Sequence, residues 1–229
     1  DGTLLMGRSD ILRNTARNSG GGIYAADNEI TLAPLSRVAL NRALTFHGGG
    51  IYAAGGGLAL VNVRLEQNHA RVDGGGLYLT GGEQPTSLLL ADGSRVVDNH
   101  AETGFGGGLR TGAGEVTLRA AAITQNTARE DGGGLYQASG TLVVTAAMGI
   151  SANVAISGAG GGLAILTGTV TVHNSLLRGN VAEKDGGGFY APGSRVALTG
   201  GTLVNGNTSR LGRGGGGYAD GLRFEARNV

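Results

Sequence analysis

The sequence predicts an all-β protein, a right-handed parallel β-helix of about eight coils of 27 residues, on three observations. The string Gly-Gly-Gly begins at Gly20, Gly48, Gly74, Gly106, Gly132, Gly160, Gly186 and Gly214. Six or seven residues before each lies an Asn followed two positions on by Ala or Ser: Asn14, Asn41, Asn68, Asn99, Asn126, Asn153, Asn180 and Asn207. Three residues before every such Asn stands a branched aliphatic side chain: Ile11, Val38, Leu65, Val96, Ile123, Ile150, Leu177 and Val204. No stretch has the 3.6-residue period of a helix, and a unit of this size cannot bury a core alone, whereas stacked units can. Crossovers between parallel strands are overwhelmingly right-handed, which selects the hand. Residues 1–229 read as one repeat domain, on the order of 40 Å long at ~4.8 Å per coil.

Each unit reads as three short strands. The first is the aliphatic or aromatic residue after the glycines with its neighbour, and Ile23, Ile51, Leu77, Leu109, Leu135, Leu163 and Phe189 form one inward stack. Gly217 takes that place in the last unit and predicts a thin spot in the core. The second strand is an alternating pair such as Leu58-x-Leu60 or Val170-x-Val172, and the third is the aliphatic-x-x-Asn run. Glycine lets a strand start with positive φ or close to another backbone, and the Ala two places past Asn suits a tight inward corner. Asn repeated at one point of every coil predicts a side-chain amide ladder along the axis, at a corner whose left-handed backbone Asn tolerates. The Asn-to-Asn interval is 27 except for 31 between Asn68 and Asn99, where Gly81 to Ser87 read as a loop insertion. The Asn-to-Gly spacing alternates between six and seven, so the full repeat is a pair of about 54 residues.

Composition narrows the function. With 47 Gly among 229 residues, no Gly-X-Y period and 40% apolar residues, the chain is neither collagen nor a disordered linker. A formal charge of +1 gives no electrostatic case for nucleic acid or an anionic membrane surface. The absence of Cys removes disulfides and thiolate chemistry. No apolar run is long enough to span a bilayer, and the first residues lack the blocks of a signal peptide.

The paired motifs Gly-Gly-Gly-(Ile/Leu) and (Ile/Val/Leu)-x-x-Asn resemble the GGA(I/L/V) and FxxN repeats of polymorphic outer-membrane proteins and related autotransporter passengers. The resemblance runs through all eight units, with Gly as the third residue and an aliphatic residue in place of Phe. It implies a bacterial secreted or surface-displayed segment with a structural or adhesive role as stalk, filament or adhesin. The expected partners are the parent chain or end-to-end copies, or a surface protein or glycan of a host or neighbouring cell. No cofactor and no catalysis are expected.

Matching phases at the two ends, Leu4 to Ile11 and Leu222 to Val229, together with uncapped terminal units, suggest an interior segment of a longer array. Tyr24, Tyr52, Tyr78, Tyr136, Tyr190 and Tyr218 follow the inward row by one residue and so should face outward. They read either as stacked aromatics that stabilise the sheet or as a carbohydrate-binding stripe. Asp73, Asp131 and Asp185 precede the glycines of alternate units; a polysaccharide lyase or hydrolase would need clustered acids, but equal spacing suits turn-forming residues better. Arg71, Glu102 and Arg129 are placed for an ion ladder, and His69 and His100 for half a metal site without a third ligand.

Overall fold

A computed structural model describes residues 2–82, 86–221 and 223–227. The centre of the predicted insertion, residues 83–85, and the positions Leu222 and Val229 used in comparing the two ends lie outside the described residues. The described residues contain no helix and form three parallel sheets of 15, 8 and 8 strands, wound into a β-solenoid of about eight turns.

The first sheet holds both strands that follow the glycines, for example Ile51–Ala54 and Gly57–Val61. In that coil Gly55 and Gly56, both at φ 75°, interrupt the ladder. Where a single glycine stands instead, Gly140 or Gly168, the two runs join into Leu135–Thr145 and Leu163–His173, paired residue for residue. The second sheet is built from the aliphatic-x-x-Asn runs, such as Arg64–Glu66. The third sheet consists of two-residue strands directly after each ladder Asn, such as His69–Ala70. A coil therefore has four strand runs where three were expected.

The alanine expected at a corner lies inside this third sheet. Ala43, Ala70, Ala101, Ala128, Ala155 and Ala182 are at most 1% exposed. The cause is the close approach of the triple-glycine backbone. A Cβ on Gly75 would collide with backbone atoms of Gly107 and His100, and one on Gly76 would press on the Asn99 amide. Three glycines thus serve three ends: the first takes φ between 63° and 70° in every coil, and the others make room for the third sheet and the ladder.

The inward rows meet in one continuous core, in which Ile51, Leu77, Leu109, Leu135 and Leu163 have no exposed surface. Gly217 leaves the expected thin spot, an open pocket lined also by Phe189, Leu198, Val204, Gly216 and Ala219. The Phe189 ring of the preceding coil takes up part of the space, and any side chain at 217 would strike its edge. The largest inward residue thus sits beside the smallest and offsets the lost volume only in part.

The sharp turn before the third sheet is made one residue earlier than expected. Arg13, Leu40, Gln67, Asp98, Gln125, Ala152, Gly179 and Gly206, each preceding a ladder Asn, have φ between 54° and 63°, whereas no ladder Asn has positive φ. A left-handed conformation costs about 1–2 kcal/mol at a non-glycine residue. The chain sustains it because the Asn that follows is tied down on every side.

Candidate functional site

Each interior Asn saturates its amide. Asn68 Nδ2 donates to Asn99 Oδ1 at 3.0 Å and to the Val38 carbonyl at 2.9 Å, and the Asn68 backbone N–H donates to the same Asn99 oxygen at 3.0 Å. Its own Oδ1 accepts two such bonds from Asn41. The pattern repeats from Asn14 to Asn207. The carbonyl reached by Nδ2 belongs to the aliphatic residue of the motif, which explains the fixed spacing between the two. With two hydrogens and two lone pairs used, these buried amides offer nothing to a ligand.

The aspartates serve the same kind of purpose. Asp73, Asp131 and Asp185 accept the backbone N–H of Phe105 at 2.8 Å, Ala159 at 2.7 Å and Arg213 at 2.6 Å, each in the following coil. The expected local turn is replaced by an inter-coil bond. Ser19 does the same in the first coil, accepting from His47 N–H at 3.3 Å. A Cβ at Gly104 or Gly158 would run into the carboxylate of Asp73 or Asp131, so the extra residue of those coils is glycine. Burial, the largest influence, raises the pKa of Asp131, while the Ala159 N–H opposes the rise.

The tyrosines align in register across the first sheet, with Arg110 and Ala164 taking their place in two coils. Tyr24 and Tyr52 stack at 4.9 Å, and Tyr52 and Tyr78 at 5.4 Å, both within 4° of parallel. The Arg110 guanidinium lies 4.7 Å from the Tyr78 ring centre and 5.7 Å from that of Tyr136. Tyr190 and Tyr218 stack at 5.5 Å. The row is not uniformly outward: Tyr24 is 63% exposed, but Tyr136 is only 7% exposed. Phe105, at 4.8 Å, and Arg110 cover the Tyr136 ring. His47 packs on Tyr78 at 4.4 Å and reaches Asp73 Oδ2 at 3.3 Å. Burial, then the neighbouring phenols, raises the Tyr52 pKa. A sugar stacks on an aromatic face, and here the faces of Tyr52 and Tyr78 are turned on their neighbours. The geometry therefore serves cohesion of the sheet, each stacked pair contributing roughly 0.5–1.5 kcal/mol.

His69 and His100 stack in the third sheet at 5.3 Å, and His69 Nε2 lies 3.6 Å from Glu102 Oε2. Glu102 is also held by Arg71, and among the described residues no ion pair joins it to Arg129. Burial is the main cause that lowers both imidazole pKa values; for His69 the facing His100 adds to it. Among the described residues no group of three or more His, Cys, Asp or Glu is arranged to hold a metal ion.

Continuous parallel sheets, a common core and a saturated amide ladder define a parallel β-solenoid repeat protein. No family model, no curated protein and no solved structure matches the chain.

Proposed function

We propose that the chain is a length of non-catalytic rod from a bacterial secreted or cell-surface protein, serving as stalk, filament or adhesive surface. One observation carries the reading: the acids that would serve a polysaccharide-processing site, Asp73, Asp131 and Asp185, are spent on backbone N–H groups of the next coil. The same bond made at the same point of alternate coils is the pattern of a structural tie, whereas a carboxylate catalyst works as a closely spaced pair. The motif resemblance to polymorphic outer-membrane and autotransporter passenger repeats supports a place on the outer surface, with the parent chain, end-to-end copies, or a host or neighbour-cell protein or glycan as partner. The third glycine, where that family has Ala, fits the pressure a Cβ at Gly76 would put on Asn99.

Electron microscopy of the native protein tests the reading. Extended rods with a ~4.8 Å axial repeat are expected. Isolated particles on the order of 40 Å that release unsaturated or reducing sugar ends from acidic polysaccharides would replace it with an enzyme.

A further inference from the structure

The outer face of the second sheet carries a groove of about 440 Å³ that the ladder, the acids and the tyrosines leave unused. Arg37, Arg64 and Arg95 line it, in direct register on three successive coils. Like charges directly opposite one another destabilise a sheet. Elsewhere a neighbouring acid meets the cation, as in Arg119 with Asp92 at 3.1 Å and Arg210 with Glu183 at 3.5 Å. Arg37 follows that pattern through Glu66 at 2.5 Å. Arg64 and Arg95 do not: both are exposed, and among the described residues neither guanidinium has a hydrogen-bond or ion-pair partner. Two adjacent forks, one coil or ~4.8 Å apart, present anion-binding positions at a fixed pitch.

The remaining lining indicates what kind of anion fits. Leu35, 64% exposed, and Met148, 48% exposed, offer apolar surface to the C–H face of a ring. Asn62 supplies an exposed amide, and Ser36 in the floor keeps a buried hydroxyl without a partner. The acids Asp10 and Glu66 beside Arg37 limit the positive potential, which disfavours a densely charged strand such as nucleic acid or polyphosphate. Among the described residues, the groove has no aromatic side chain on which bases could stack.

We propose that this groove binds a linear acidic polysaccharide, with the carboxylates or sulfates of successive sugar units seated on Arg64 and Arg95. The site is independent of the tyrosine row, and it goes beyond the structural reading because stalk and adhesin alike could carry it.

Calorimetric titration of the purified chain tests this with four probes: a heparin hexasaccharide, hexagalacturonate, maltohexaose and inorganic polyphosphate. Binding of either acidic oligosaccharide is expected, galacturonate assigning carboxylates and heparin alone assigning sulfates. The double variant Arg64→Ala/Arg95→Ala should weaken it about tenfold or more. The same variant should melt no lower than the parent, because it removes a like-charge pair. Arg129→Ala, outside the groove, should bind as the parent does. Failure of both acidic oligosaccharides to bind, equal binding of maltohexaose, binding of polyphosphate only, or indifference to the double substitution would each overturn the proposal.

Discussion

A single rung of the ladder holds several groups at once, and that makes it the most sensitive residue position in the molecule. Asn126 Oδ1 accepts the Asn99 backbone N–H and side-chain amide, both at 3.0 Å, while its own Nδ2 serves Asn153 and the Val96 carbonyl. Asn126→Ala leaves two donors of buried Asn99 and one buried carbonyl without partners. At about 1–3 kcal/mol for each unsatisfied group, a loss of about 3 kcal/mol or more is expected from urea unfolding. Asn14, exposed and bonded on one side only, should lose about 1 kcal/mol or less on the same substitution. Equal losses at the two positions would mean that burial of the rung is unimportant. The Asn positions were legible in the sequence because one polar residue type recurred at one interval. Its neighbour was not: residues as different as Leu40, Gln67, Asp98 and Ala152 share the left-handed backbone, so no residue type announced it.

Among the elements, the third sheet carries the pH response. Burial holds both His69 and His100 below the ordinary histidine value of 6.5. Between that value and the lower folded ones, the unfolded chain binds more protons than the folded chain. Stability is therefore fully present above about pH 6.5 and falls as the pH drops through the folded values. The double variant His69→Gln/His100→Gln should flatten the decline of the urea midpoint just below pH 6.5; a decline as steep as the parent's would contradict this account. This sheet was also the least legible element. Two residues are too few to display alternation, so its alanines read as corners. The inter-coil role of Asp73 was hidden for a related reason, since its partner is the Phe105 N–H, a backbone group without a side-chain signature. The burial of Tyr136 depends on Phe105, which reaches it from the coil before.

At the scale of the whole molecule, the core rows and the repeat were legible because stacking places identical side chains over one another, so periodicity in sequence becomes adjacency in space. The departures come where neighbouring coils differ, as where the Phe189 ring leans over Gly217 and fills part of the gap it leaves. The alternation of six- and seven-residue spacings has a consequence for how such a rod can change its length. Ser19 and the three aspartates stand only in odd coils, and the N–H groups they hold stand only in even ones. The molecule is thus quantised in pairs. Excising residues 127–180 removes 54 positions and rejoins Asn126 to Val181, an odd coil to an odd coil, with every rung and every aspartate bond renewed. Excising residues 127–153 removes 27, brings two even coils together and strands the Ala159 N–H without Asp131. The shorter deletion should give the less stable protein in thermal melts, although it discards less of the chain, so a gene that grows or shrinks by recombination would be expected to keep its parity.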